Sequence, residues 1–258
     1  MRTSTFVQRL GVALALAAAG VVNASASPAA ATNSGDPTTM TAEHTASPLS
    51  NKQLAIAPIA AMTAIGDMPA LDAALNRGLD AGLTISESKE ILVQMYAYTG
   101  FPRSLNGLSA LMKVLKARKQ RGISDAPGRE PGPVPAGDQA LAAGTANQTQ
   151  LTGAPVKGPL FDFAPAIDQF LKAHLFGDIF ARDNLDWPSR ELATIGALAA
   201  LTGVESQLQS HVRISLHVGI SAAQIRQVAQ RLSDASQDAA AQRMRDALEK
   251  NLAASAKQ

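Results

Sequence analysis

WPSRELATIGALAALTGVESQLQSHVRISLHVGISAAQIRQVAQRL, residues 187–232, is a run of helical sequence with two breaks. Its apolar residues recur at intervals of three and four, which predicts helices over 187–202, 204–218 and 222–232. Gly219 ends the second helix, and Ser221 with Gln224 has the spacing of a capping box that starts the third. Valine and isoleucine occur singly and not in alternating runs, so the sequence predicts an all-α fold.

The same pattern occurs earlier in the chain, around Gly82. Thr84 follows this glycine, and Glu87 lies at capping-box spacing from Thr84. Upstream, Lys52-Gln-Leu54 lies in the place of Arg190-Glu-Leu192, with one residue of slippage. We therefore predict two tandem, diverged helical modules, over 51–118 and 159–258. The other helices predicted from periodicity are 52–64, 69–81, 85–98 and 103–118 in the first module, and 164–180 and 236–254 in the second.

Segments rich in small residues precede and separate the modules. Residues 119–158, which contain a run of prolines and glycines, are predicted to be a linker, and residues 27–50 a disordered spacer. Residues 1–26 combine two arginines, an apolar run from Leu10 to Val22 and the small residues Ala24-Ser-Ala26, which is typical of a signal peptide. We expect an exported protein, periplasmic or secreted, with no stable membrane anchor after cleavage. An uncleaved anchor is the alternative.

Composition excludes several kinds of function. The chain has 23 basic and 21 acidic residues, and removal of Arg2 and Arg9 with the signal peptide leaves equal numbers, so no basic surface indicates nucleic acid. There is no cysteine, which rules out thiol nucleophiles, redox dithiols and disulfides. Four histidines without an HExxH motif predict no protein metal site, and we expect no cofactor.

Several motifs appear in a fixed order: Arg190-Glu-Leu, then His211, then the helix junction at Gly219-Ile-Ser221. This order resembles the carboxymuconolactone decarboxylase family, in the alkylhydroperoxidase-like superfamily. The first module is similar to the trailing part of the family pattern, with Tyr96-Ala-Tyr-Thr-Gly-Phe-Pro102 and Asn106. The resemblance implies an all-α fold, lyase chemistry without a cofactor, a small carboxylate or lactone as partner, and a homo-oligomer.

Each module departs from the family pattern where the other keeps it. The first has Gln53 in the place of the glutamate and Ala73 or Ala74 in the place of the histidine, and the second lacks the Tyr-x-Gly-x-Pro segment. One explanation is a single composite site that takes Glu191 and His211 from the second module and Tyr98 from the first. The other explanation is drift in a protein that needs only the fold.

The resemblance implies roles for six side chains. Glu191 and His211 are the expected catalytic proton carriers, since two antiparallel helices would bring them together. Each has a structural alternative: a glutamate near a helix N-terminus is favoured by the helix dipole, and a lone helical histidine often makes only a polar contact. The expected substrate-binding side chains are those of Tyr98, Arg103, Asn106 and His217, with His217 at the edge of the site. Tyr98 could instead be a packed helix end, and Arg103 a solvated arginine.

Three functions remain open from the sequence. The first is cofactor-free decarboxylation by proton transfer on a small carboxylated or lactone-type substrate. The second is peroxide reduction, which other members of the superfamily perform with a cysteine pair that this chain lacks. The third is a non-catalytic binding or scaffold protein of the envelope.

Overall fold

The computed structural model describes residues 47–257. Within this range all regular structure is helical, and the predicted all-α fold is confirmed. The predicted signal peptide and most of the predicted spacer, residues 1–46, lie outside the described residues. The helices are α1 (Asn51–Ile65), α2 (Met68–Asp80), α3 (Ile85–Gln120), α4 (Asp138–Thr152), α5 (Pro159–Phe163), α6 (Pro165–Phe170), a π-helix (Leu171–Ile179), α7 (Trp187–Ala200), α8 (Glu205–His217), α9 (Ala222–Asp234) and α10 (Asp238–Ser255).

Eight of the nine helices predicted from periodicity are present, with small shifts at their ends, and the predicted helix 164–180 is divided between α6 and the π-helix. The two predicted over 85–98 and 103–118 are joined in α3, which is interrupted at Gly100. The backbone of Gly100 has φ of 78° and ψ of 162°, outside the helical region, and Pro102 follows. A non-glycine residue would be strained in this conformation, so Gly100 allows a kink between the two helical halves of α3.

The junctions before α3 and α9 have the same backbone geometry. Gly82 and Gly219 are both in the left-handed region, with φ of 94° and 97°. Thr84 and Ser221 then cap the next helices, each in a capping box. Matching backbone hydrogen bonds of 2.9 Å close the two turns, from Leu83 N–H to the Gly78 carbonyl and from Ile220 N–H to the Ser215 carbonyl. The two junctions are therefore equivalent in detail, although few of their side chains are identical.

Helices α1 and α7 cross with almost no side chain between them. A Cβ atom on Gly196 would lie 2.6 Å from the carbonyl oxygen of Ala57, so only glycine fits at this position. Nearly every residue of α7 from Ser189 to Ala200 is buried. The polar side chains near the start of α7 are consequently held inside the protein.

Residues 119–158 are not the simple linker that was predicted, because they contain helix α4. This helix packs against the π-helix through small residues: a Cβ on Gly144 would lie 1.7 Å from the Lys172 carbonyl oxygen. The side chain of Asn147 donates a hydrogen bond to the Phe176 carbonyl at 2.9 Å. The alanines and glycines of this segment therefore serve close helix packing, whereas their composition alone suggested a flexible stretch.

Gly144 gives a direct test of this packing. In an exposed helix interior, replacing glycine with alanine stabilises a protein by up to about 1 kcal/mol. Here we expect Gly144→Ala to lower the free energy of unfolding by about 1–3 kcal/mol, because the added methyl group collides with backbone that cannot move freely. Chemical denaturation measures the change, with Thr145→Ala on the exposed side of α4 as the control. A stabilised Gly144→Ala variant would contradict the packing.

The end of the predicted spacer is also part of the fold. Leu49 is buried, and its backbone N–H donates to the side-chain oxygen of Gln227 at 3.0 Å. Ser50 caps α1 in a capping box with Gln53. The predicted spacer boundary at residue 50 is thus a few residues too late. None of the helices in the described part of the chain is long and apolar enough to span a bilayer.

Candidate active site

Three consecutive residues of α7, Arg190, Glu191 and Leu192, point into different parts of the interior. The helix starts where the Asp186 carboxylate accepts the Ser189 N–H at 2.8 Å, and Pro188 occupies the first turn, where its missing N–H costs nothing. All three residues are fully buried. Leu192 joins the hydrophobic core, whereas the other two must find polar partners there.

Glu191 is paired with His211. The Oε2 atom of Glu191 lies 2.9 Å from Nδ1 of His211, which comes from α8. The Glu191 side chain is 0% exposed and the His211 side chain 12% exposed. The second glutamate oxygen, Oε1, is buried and has no hydrogen-bond partner in the described part of the chain. Glu191 is thus held at one oxygen and unsatisfied at the other.

Tyr98 of α3 lies against this pair. Its ring meets the His211 ring edge to face, with centroids 5.8 Å apart and planes at 81°. The Thr194 hydroxyl is close to the phenol, but it donates to the Arg190 carbonyl and accepts from Gln94. The Tyr98 hydroxyl is left without a hydrogen-bond partner among residues 47–257. Burial, and next the negative charge of Glu191, raise the pKa of Tyr98, so the phenol keeps its proton.

The same neighbourhood holds further unpartnered polar atoms. Ser215 lies one helical turn after His211 on α8, and its hydroxyl is also buried without a partner among the described residues. Buried hydroxyls and carboxylate oxygens are normally hydrogen-bonded, because leaving one unmade costs about 1–3 kcal/mol. Unsatisfied donors and acceptors beside a histidine–carboxylate pair are what a site that binds a polar ligand requires.

Comparison with known families adds to this geometry. Residues 165–250 match the model of the carboxymuconolactone decarboxylase family. This segment is a carboxymuconolactone decarboxylase family domain. No curated protein is significantly similar to the chain. The decarboxylase-family domain contains Glu191 and His211, whereas Tyr98 lies outside the matched residues and reaches the pair from α3.

The other three predicted binding residues, Arg103, Asn106 and His217, do not join the Glu191–His211 pair. Arg103 is half-buried and Asn106 is exposed, both on the part of α3 that follows Gly100. His217 is exposed, and its ring lies against Gly153 at the end of α4. Among the described residues, none of the three makes a hydrogen bond to Glu191, His211 or Tyr98.

A buried ion network, which no local sequence pattern indicated, joins α7 to α3 beside the site. Glu90 of α3 is 1% exposed and accepts from Arg190 at 2.9 Å and from Arg182 at 2.9 Å. Burial acts to raise the pKa of Glu90, but the hydrogen bonds and charges of the two arginines outweigh it, and the pKa lies below its usual value. Gln94 accepts from Arg190 and donates to its carbonyl oxygen. These contacts fix α7 against α3, and with it the position of Glu191 relative to Tyr98.

A second polar cluster, also missed from sequence, lies on the π-helix. The Tyr96 hydroxyl is 2.7 Å from Nε2 of His174, whose Nδ1 is 2.7 Å from Oδ2 of Asp178. The histidine and aspartate side chains are 43% and 46% exposed. Phe101 stacks on Tyr96 with ring centroids 4.1 Å apart. The spacing of four residues between His174 and Asp178 was the available signal for this cluster.

Glu191 and His211 form a hydrogen-bonded pair of the kind that can exchange a proton. Across residues 47–257, no group of three or more His, Asp or Glu side chains is arranged to hold a metal ion. Two clefts of about 370 and 430 Å³ are lined by neither Glu191, His211 nor Tyr98. Within the pair, the His211 ring is partly exposed and the Glu191 carboxylate is shielded from solvent.

Proposed function

We propose that this protein is an exported, cofactor-free decarboxylase that acts by proton transfer on a small carboxylated or lactone-type substrate. The observation that carries the proposal is the buried Glu191–His211 pair with the unpartnered Tyr98 hydroxyl beside it. The family match of the surrounding domain supports the same class of chemistry. Export rests on the signal-peptide pattern in residues 1–26.

The pair gives the imidazole a defined role. A carboxylate can only accept a hydrogen bond, so Nδ1 of His211 donates to Glu191 and Nε2 is the nitrogen that exchanges a proton with the substrate. Breaking the bond between the substrate carbon and its carboxylate releases carbon dioxide and leaves an electron pair on an enolate-like carbon. Transfer of a proton from Nε2 to that carbon completes the reaction, and Glu191 stabilises the imidazolium before transfer.

Tyr98 would hold the negative charge that develops on the substrate. Its hydroxyl stays protonated because burial and Glu191 raise its pKa, and it has no competing partner. A preorganised donor in a dry site stabilises an enolate oxygen far more than water does.

Two other functions compete with decarboxylation. Peroxide reduction by a thiol mechanism is excluded, because the chain has no cysteine. A non-catalytic scaffold is the other alternative, and it would not require a reacting pair.

The proposal can be tested with the full chain and a panel of small lactone carboxylic acids. Carbon dioxide release is followed directly, and the reaction is repeated in deuterium oxide to find whether the carbon that loses carbon dioxide gains one deuteron. We expect release from at least one substrate and incorporation at that carbon. Absence of release, together with no ligand-induced shift in melting temperature, would favour the scaffold.

Tyr98→Phe separates function from structure. The change removes a buried hydroxyl that makes no hydrogen bond, so we expect the free energy of unfolding to be unchanged or raised by about 1 kcal/mol. Turnover should fall by roughly 10-fold or more, because the donor for the developing charge is lost. Denaturation and steady-state rates measure the two effects. A variant of parental activity would remove Tyr98 from the mechanism.

We also propose that the protein forms a homo-oligomer. In the single chain several large apolar side chains are exposed, with exposed fractions of 59% for Phe101, 88% for Phe163 and 63% for Phe170. Exposed aromatic residues of this kind are typical of surfaces that are covered by a partner. Light scattering on the purified chain gives the number of subunits.

A further inference from the structure

A cleft of about 370 Å³ lies between the end of α9 and helices α1 and α2. Its apolar wall includes Pro58, Met62, Ala73 and Ala235. Two arginines also line it: Arg77, which is exposed, and Arg231, which is half-buried. The cleft thus offers an apolar surface beside two arginines, and the carboxylate of Asp234 is also part of its lining.

Two residues that line this cleft, Arg231 and Ala235, are equivalent in sequence to residues beside the Glu191–His211 pair. When the equivalent turns at Gly82 and Gly219 are aligned, Ala74 falls in the place of His211 and Ala235 in the place of Tyr98. Ala235 lines the cleft in the place of the larger Tyr98 ring, whereas Ala74 is buried in the core and does not line it. Arg231 falls in the place of Gln94, so a positive charge has replaced a neutral amide.

Both arginines are available to a ligand. Neither makes a side-chain hydrogen bond or ion pair within residues 47–257. The nearby carboxylate of Asp80 is already 2.8 Å from Arg118, and that of Asp234, which lines the cleft, accepts from Gln230 at 2.9 Å. Arginine side chains recognise carboxylates through paired, charge-assisted hydrogen bonds.

Ser236 also lines the cleft and has φ of 60°, the one positive φ at a non-glycine residue in the described part of the chain. This left-handed residue ends α9, where the Gln237 N–H donates to the Leu232 carbonyl at 2.9 Å. The turn therefore forms one side of the cleft, with Asp234, Ala235 and Ser236.

We infer that this cleft is a second binding site, which takes a small organic anion with a carboxylate for the arginines and an apolar body for the alanines and Met62. It has neither a histidine nor a tyrosine, so it would bind such a molecule without reacting with it. The inference does not depend on the proposed decarboxylase activity, because it uses none of the same side chains.

Benzoate is a suitable probe, and benzamide is its neutral counterpart. Met62 lines the cleft, and its methyl signal can be followed by NMR on the full chain. We expect benzoate to shift the Met62 signal in a saturable way, whereas benzamide should bind at least roughly 10-fold more weakly, as expected for loss of a charge-assisted contact. Equal binding of the two compounds, or no saturable shift, would overturn the inference.

Variants locate the effect. Arg77→Gln combined with Arg231→Gln should weaken benzoate binding by about 10-fold or more. Arg226→Gln is the matched control on α9, since Arg226 contacts Glu249 and does not line the cleft. Ala73→Leu should block the cleft without removing a charge. His211→Gln should leave the Met62 shift intact, so failure of the decarboxylase proposal and failure of this one are distinguishable.

Discussion

Replacing His211 with glutamine should lower turnover by a factor of roughly 100 or more while leaving the protein folded. The glutamine amide can still donate a hydrogen bond to Glu191, so the buried carboxylate keeps a partner. What it cannot do is exchange a proton near neutral pH, which is the role assigned to Nε2. Steady-state rates on a substrate found by carbon dioxide release measure the loss, and circular dichroism verifies the fold.

The matched control is His217→Gln, which changes an exposed histidine on the same helix that does not contact Glu191. Its activity should equal that of the parent. Added imidazole should partly restore turnover to His211→Gln if the lost function is proton transfer. An undiminished rate in His211→Gln, or equal losses in the two variants, would show that the pair is not the reacting site.

Replacing Glu90 with glutamine should lower the free energy of unfolding by about 3–5 kcal/mol. Arg190 is 0% exposed and Glu90 is 1% exposed, so the variant leaves a buried guanidinium without its counter-charge. Burial already lowers the pKa of Arg190, and Glu90 works against that effect. Urea denaturation measures the change. Glu130→Gln is the control, because the Lys89–Glu130 pair is exposed and should contribute less than about 1 kcal/mol.

The effect of Glu90→Gln should depend on pH. The folded pKa of Glu90 lies below its usual value of 4.5, so the carboxylate stabilises the protein above that pH and loses its contribution as the pH falls through the folded pKa. The difference in unfolding free energy between parent and variant should therefore shrink in acid. A difference that stays constant from neutral pH to below 4 would mean that another group carries the stabilisation.

Periodicity was enough to predict the helices, because helix-forming residues and capping boxes are local features. Periodicity could not predict α4. The small residue Gly144 is needed there because it packs against the backbone of Lys172, and a contact between distant segments leaves no local pattern. Glu191 and His211 could be paired in advance because they lie on consecutive helices that must run antiparallel. Glu90 could not, because its partner Arg190 is separated from it by the whole of the middle region and a buried ion pair leaves no local pattern.

The contact of Gly196 with Ala57 determines which part of the chain can be cut out as a separate fragment. Similarity defines a segment from 165 to 250, yet α7 in that segment is sealed on one side by α1, which lies far outside it. An excised 165–250 fragment would bring the apolar side of α7 and the charged end of Arg190 into water. The segment matched by the family model is therefore smaller than the packed unit, and we expect a fragment cut at 165 and 250 to be poorly soluble.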